Sequence, residues 1–482
     1  MIQKKLFEEM NSPELFRRAQ EYGFRYLRGV TERHVFPREQ ALAALSRFDE
    51  ELPEGFTPFP EILDQLDRFG APATVAQAGG RYFGFVDGGV VPAGLAVRVM
   101  TDFWDQNSAL QVLSPAASRL EQVVQRWLVD LFHLPGETEA GFVSGTSMAT
   151  FCGLAAARYR ILQRQGWDVN EQGLFGAPGV RVVLGREAHS TVLKAVSLLG
   201  FGKGNIQWVD TDSQGRMRPE ALPVLDNRTL LVLQAGNVNT GAFDPFGSLC
   251  EKAREAGAWV HIDGAFGLWA AVSERLNHLT AGIDQADSWS ADGHKTLNTP
   301  YDNGIILCRD GKALVSALHM TGDYIIPGND RDGMYYTPEM SRRARIFELW
   351  GTMKSLGRSG MDEMVTGLHE RALQFARRLK EEGFEILNEV RFNQVLVRYR
   401  DDESTRKILK AVQEARVCWC GGSRWKGQEV IRISVCSWAT TEEDVELSVQ
   451  SFAAARAPAG EAGTGSRWQQ GRSEPDDNQE KK

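Results

Sequence analysis

Between Gly141 and Cys308, short runs of apolar and β-branched residues alternate with stretches of helical character, and this alternation constrains the fold more than any other feature. The runs are Val180–Leu184, Ile206–Val209, Leu230–Gln234, Ala258–Asp263, Ser288–Ala291 and Gly304–Cys308, and helices are expected to start near Ser147, Ser190, Arg218 and Phe246. Strands that are apolar throughout are buried on both faces, which predicts an α/β fold with a mostly parallel sheet between helical layers. In such sheets ligands collect at the carboxyl ends of the strands.

Two of those ends carry unusual residues. The run Val260-His261-Ile262-Asp263 finishes on a carboxylate, and Ser288–Ala291 leads into a polar loop holding His294 and Lys295. A lysine between two buried strands needs a partner. A strand-end Asp with a loop Lys suits pyridoxal phosphate (PLP), held as an imine on the lysine and paired through its ring nitrogen to the acid. A buried salt bridge between core strands would explain the same two residues.

Three further strand ends bear on that choice. Ser144-Gly145-Thr146-Ser147 opens a helix of small residues, and free N–H groups with hydroxyls at a helix start suit a phosphate. The same residues also make an ordinary N-cap. His189, in Ala188-His189-Ser190, either caps the next helix or lays a flat ring over a cofactor. Asn237 lies in the polar turn Ala235 to Pro245. A salt bridge between Asp263 and Lys295 accounts for only two of these five places.

In this order, Ser-Gly-Thr-Ser, Ala-His-Ser, Ala-Gly-Asn-Val-Asn-Thr-Gly-Ala-Phe-Asp, His-Ile-Asp-Gly-Ala-Phe and Asp-Gly-His-Lys, the chain resembles the group II PLP-dependent amino acid decarboxylases from about Phe56 to Ala453. The resemblance implies fold type I of PLP enzymes, with a helical arm, a large domain built on a seven-stranded sheet, and a small C-terminal α/β domain. It implies decarboxylation of an L-amino acid to its amine and CO2, in a homodimer with active sites at the interface. Residue by residue, it makes Lys295 the imine lysine and has His294, Thr146 and Ser147 hold the phosphate. His189 and Ala265 would then face opposite sides of the ring, Asp263 would pair with its nitrogen, and Arg345 would be structural. Tyr324, Tyr335 and Tyr336 lie where a Tyr of the family returns a proton to the substrate. Asn237 stands where many members have Thr, and Asp292 where several have Asn.

The expected division is an arm over residues 1–75, a large domain over 76–345, a small domain over 346–455 and a disordered tail over 456–482. The arm has apolar positions but too few for a core of its own. A net charge of −8 with no basic stripe argues against nucleic acid. No apolar run approaches the roughly 18 residues needed to cross a bilayer, and the start has no secretory h-region, so no membrane partner is expected. Six scattered cysteines, with no second pair or histidine near Cys418-Trp419-Cys420, predict no metal site and reduced thiols in the cytoplasm. Two other classes share some of these features. A class V aminotransferase or desulfurase-like enzyme also carries a His-Lys pair, but usually Gln where Phe266 stands, and a non-catalytic protein of the same fold would not need Lys295, Asp263 and His189 together.

Overall fold

The computed structural model describes residues 2–319 and 331–456. Tyr324 and the tail beyond Arg456 lie outside the described residues. The chain opens with α1 (Ile2–Met10), α2 (Pro13–Gly29), α3 (Glu39–Ala44) and α4 (Phe59–Gln65), none of which buries a residue. Pro13 starts α2 where a missing N–H costs nothing. There follow β1 (Tyr82–Phe83), α5 (Pro92–Asp102) and α6 (Pro115–Leu131).

The central unit contains β2 (Glu139–Val143), α7 (Thr146–Arg164), α8 (Val169–Gln172), β3 (Arg181–Gly185), α9 (Ser190–Leu198), β4 (Ile206–Val209), β5 (Thr229–Gln234), α10 (Phe246–Glu255), β6 (Trp259–Asp263), β7 (Ser288–Asp292), β8 (Gly304–Cys308) and α11 (Gly311–Leu318). Its seven strands lie in the order β2-β8-β7-β6-β5-β3-β4. Five neighbours, β4, β3, β5, β6 and β7, are parallel, and β8 runs antiparallel to both β7 and β2. One apolar cluster packs α7, α9 and α11 on one face, and another packs α6, α10 and part of α12 (Ile346–Glu381) on the other. Trp289 of β7 and Trp259 of β6 are fully buried in these opposite clusters. Burying a large apolar side chain contributes about 1.5–3 kcal/mol.

The helix expected near Arg218 does not form. Pro219–Ala221 is a single 3-10 turn, and before it the Asp212 carboxylate accepts from the N–H groups of Gln214 and Arg216, closing a tight turn through Gly215 (φ 84°). Side-chain capture of backbone donors competes with helix here, and prolines at 219 and 223 remove two more donors.

The remaining elements, β9 (Glu385–Ile386), β10 (Gln394–Arg398), α13 (Asp402–Ala415), β11 (Trp419–Trp425), β12 (Gln428–Ser434) and α14 (Glu442–Ala454), build a second sheet in the order β1-β11-β12-β10-β9. Tyr82–Phe83, which the sequence reading puts at the start of the large unit, pairs with β11 of this sheet instead. Helix α12 belongs to both units: Ile346 to Val365 enter the central core, Leu368 to Leu379 the C-terminal one. Gly357, at φ 62°, interrupts it. Among the described residues no helix is long and apolar enough to cross a membrane.

Candidate active site

The site begins with a polar column on a buried sheet face. Alternation along β6 and β7 turns Trp259, His261 and Asp263, and beside them Ser288, Ser290 and Asp292, toward α7. Helix α7 answers with small residues, and a Cβ at Gly153 would meet the His261 ring at 2.6 Å. At the carboxyl end of the column stand Asp263 and Asp292, both buried. Ala265 ties them together, its N–H donating to Asp263 Oδ1 (3.2 Å) and its carbonyl accepting from the Asp292 N–H (2.8 Å).

Lys295 extends back over this end. Its Nζ lies 2.8 Å from Asp292 Oδ2, so its direct partner is Asp292 and not Asp263. Burial disfavours the ammonium, but Asp292 and, more weakly, Asp263 outweigh it and raise the lysine pKa. Burial likewise opposes the Asp292 anion, and Lys295, His294 and the bonds from Lys295 and Thr146 hold its pKa below the usual carboxylate value. Asp263 goes the other way: burial dominates and pushes its pKa up, against the pull of His189 and Lys295.

The α7 start meets the same carboxylate. Thr146 N–H donates to Asp292 Oδ1 at 2.6 Å, while the buried Thr146 Oγ1 has no partner. Ser147 is exposed. The approach is tight, because a Cβ on Gly304 would come within 2.3 Å of the Gly145 Cα. His294 accepts the Asn303 N–H at Nδ1 (3.0 Å), which leaves Nε2 facing Asp292 Oδ1 at 3.7 Å. Its ring stacks on Tyr301, whose hydroxyl donates to Asp87 (2.7 Å).

His189 caps α9: its Nδ1 accepts the Thr191 N–H, so in the neutral ring the proton sits on Nε2. Burial lowers its pKa, partly offset by Asp263. Asn237 is taken up by its own turn. Its Oδ1 accepts from Asn239 and Thr240, and its Nδ2 donates to the Glu187 carbonyl just before His189.

The pyridoxal-dependent decarboxylase conserved domain matches residues 43–400. The acidic amino acid decarboxylase of Mus musculus is 30% identical over 338 residues, covering 66% of this chain and 60% of that protein. The aromatic-L-amino-acid decarboxylase of Bacillus atrophaeus is 25% identical over 433 residues, covering 84% and 87%. Among solved structures, Oryza sativa TDC with PLP and tryptamine superposes with a TM-score of 0.83 at 22% identity, over 91% of this chain and 96% of that one. This chain belongs to the pyridoxal-dependent decarboxylase family.

Its fold is that of the fold type I PLP enzymes, and PLP is its cofactor. The residues present fit that group. An orphaned hydroxyl at Thr146, a helix start and a buried lysine beside two carboxylates are what a phosphorylated aldehyde with a basic ring nitrogen requires.

The candidate site also has neighbours that the sequence pattern does not single out. Asn298, at φ 56°, donates to the carbonyls of Lys295, Thr296 and Cys436 and accepts from the N–H groups of Gly89 and Trp438. One amide thus joins the lysine loop, the segment after β1 and the C-terminal unit. Gly88 is pressed against that loop, since a Cβ there would lie 2.1 Å from the Lys295 carbonyl oxygen, and it brings Asp87 to Tyr301. Arg432 of β12 makes no ion pair among the described residues, and its charge acts on His189. Tyr335 stacks on His319, and Tyr336 lies under Arg331 with Glu139 and Glu121 as its further charged neighbours. Arg345 is buried against Asp302 (3.1 Å) and the Phe142 carbonyl.

Proposed function

We propose that this chain decarboxylates an L-amino acid to the corresponding amine and CO2, with Lys295 as the residue that carries PLP. The observation behind this reading is the convergence of Lys295, Asp263 and His189 beside the open donor at Thr146. When bound, PLP supplies an electron sink for the pair left on Cα as the carboxylate departs. Asp263 would face the ring nitrogen and hold a proton there, because a nearby anion favours the cationic form. His189, oriented by its cap on α9, would cover one ring face and Ala265 the other. Thr146, Ser147 and His294 would hold the phosphate, and Asn237 would steady the strand end that presents His189. Arg432, which makes no ion pair among the described residues and donates to the Val238 carbonyl, would orient a substrate carboxylate from the C-terminal unit.

The active unit on this reading is a homodimer with its sites at the interface. Phe7 is 54%, Phe24 60%, Phe103 57% and Trp104 46% exposed, and Met100, Leu113, Tyr301 and Trp438 add to the uncovered apolar surface. Apolar exposure on that scale marks a surface that another chain covers. All six cysteines are buried and unpaired, which suits a reducing compartment, and we place the enzyme in the cytoplasm.

Borohydride treatment of the PLP-loaded protein should fix the label on the peptide containing Lys295, and label elsewhere would overturn the assignment. The mouse relative is named for acidic substrates and the Bacillus one for aromatic substrates, so the screen for CO2 and amine release should include both. Transfer of the amino group to an oxoacid without CO2 release would assign the site to a transaminase. An active species sedimenting near 53.6 kDa would rule out the dimer.

A further inference from the structure

The carboxylate at Asp292 occupies a place where a second anion has to arrive. Its Oδ1 already takes the Thr146 N–H at the start of α7, its Oδ2 takes the Lys295 ammonium, and it is 1% exposed. Thr146 Oγ1, which completes no hydrogen bond, and His294 Nε2, 3.7 Å from Asp292 Oδ1, both act on that carboxylate. While Lys295 is a free ammonium, the pair is neutral. Once Lys295 Nζ condenses with the cofactor aldehyde, releasing water, it is no longer a full ammonium donor to Asp292. A phosphate held by Thr146, Ser147 and His294 would be a second anion beside the Asp292 carboxylate, which is screened from water.

The other groups that act on Asp292 do not remove this conflict. From β6 comes Asp263, another carboxylate, and from the start of α9 comes His189, whose Nδ1 is committed to Thr191. Tyr301 donates its proton to Asp87, and Cys436 of the C-terminal unit is a buried thiol. His294 has one nitrogen committed to Asn303.

We infer that loading the cofactor phosphate is coupled to uptake of one proton at Asp292. The proton converts that carboxylate from a competitor of the phosphate into a hydrogen-bond donor to it, while the other oxygen keeps the Thr146 N–H. The sequence places an acid here where several family members have Asn, so the coupling is a property of this chain's own residue. The inference rests on the cofactor placement proposed above.

The test compares PLP with pyridoxal, which forms the same bond to Lys295 but brings no phosphate. Calorimetric titration of the full-length apoprotein in buffers of different ionisation enthalpy gives the protons taken up with each. The expected result is about one proton more for PLP than for pyridoxal near pH 8, with the phosphorus NMR shift remaining that of a dianion. PLP affinity should then fall about tenfold per pH unit through the alkaline range, as linkage to one proton requires. In D292N the extra proton and the slope should vanish while PLP still binds. Equal proton counts for the two ligands, or a phosphorus shift moving to the monoanion, would overturn the inference from the unmutated protein alone. Failure of PLP to bond to Lys295 at all would instead overturn the cofactor placement.

Discussion

His261 and Asp263 stand two residues apart on β6 and point the same way, yet they occupy opposite kinds of environment. Around His261 every polar atom finds a partner. Its Nδ1 meets Ser288 Oγ at 2.8 Å, its Nε2 meets Ser290 Oγ at 3.4 Å, Trp259 Nε1 donates to Ser288, and Ser290 pairs with Thr150. Around Asp263 the protein supplies one N–H from Ala265, leaves Thr146 Oγ1 orphaned and crowds two carboxylates, a lysine and a histidine together. The closed half holds β6, β7 and α7 at fixed spacing. The open half, carried on the same three elements, keeps its unsatisfied groups aimed at one point, and each of those groups lowers the stability of the empty chain.

The largest break should come from Lys295→Ala. Turnover should fall by orders of magnitude, because the residue proposed to bond the cofactor is gone. Thr146, His294 and Asp263 remain, so PLP should still bind, with an altered visible spectrum. Retained turnover would mean that the cofactor is misplaced. Asp263→Asn comes next. On the proposed placement a neutral amide would no longer hold the ring proton, each pKa unit is worth about 1.4 kcal/mol, and CO2 release should slow about a hundredfold or more with covalent loading intact. A single-turnover assay on the reconstituted variant reads this directly.

How far the sequence foretells this arrangement depends on the range of the interactions. The inner parallel strands were legible almost to the residue, because a strand buried on both faces has to be an apolar run, whereas the edge strand Ile206–Val209 was found although Gln207 and Trp208 are exposed. Strand β2 was hidden, since Gly141-Phe142-Val143 runs without punctuation into the Ser-Gly-Thr-Ser helix start. Strand β11 was hidden by Gly421-Gly422, which dilute its pattern. Lys295 and Asp263 could be singled out from their strand ends, but the direct partner of Lys295 is Asp292, three residues away across a turn. Asn298 bonds to Gly89 across 209 positions, a contact that no local pattern encodes.

The closed half should respond to acid rather than to cofactor. Burial depresses the His261 pKa to about 3, so the folded protein keeps this ring neutral while the unfolded chain protonates it near pH 6.5. Below that value the unfolded state binds the extra proton, and stability is lost progressively as pH falls from 6.5 toward 3. At pH 4 the loss from this one group is about 3 kcal/mol. His261→Gln should therefore flatten the acid limb of the stability profile relative to the parent, while activity at pH 8 stays within a few-fold. Denaturant unfolding at pH 7.5 and pH 4.5 checks the sign. An unchanged difference between the two pH values would mean that His261 is not held neutral by the fold.

The smallest effects separate the two halves most cleanly. Ser288 Oγ serves both Trp259 and His261, so Ser288→Ala strands a buried indole N–H, at a cost of about 1–3 kcal/mol. Thermal unfolding should show that loss, and cofactor affinity should not move. Thr146→Val keeps the shape and removes a buried hydroxyl that completes no hydrogen bond in the protein, although it lies near enough to Asp292 to help hold that carboxylate's pKa down. The empty chain should be no less stable, and it gains slightly if an unpaired buried donor is a burden. The hydroxyl's proposed partner is the phosphate, and a hydrogen bond to a charged group is worth about 1.5–3 kcal/mol. PLP affinity should then weaken by between one and two orders of magnitude, and affinity for pyridoxal should stay unchanged. If Thr146→Val lowered the stability of the empty chain while Ser288→Ala weakened cofactor binding, the division of β6 and β7 into a closed support and an open site would be wrong.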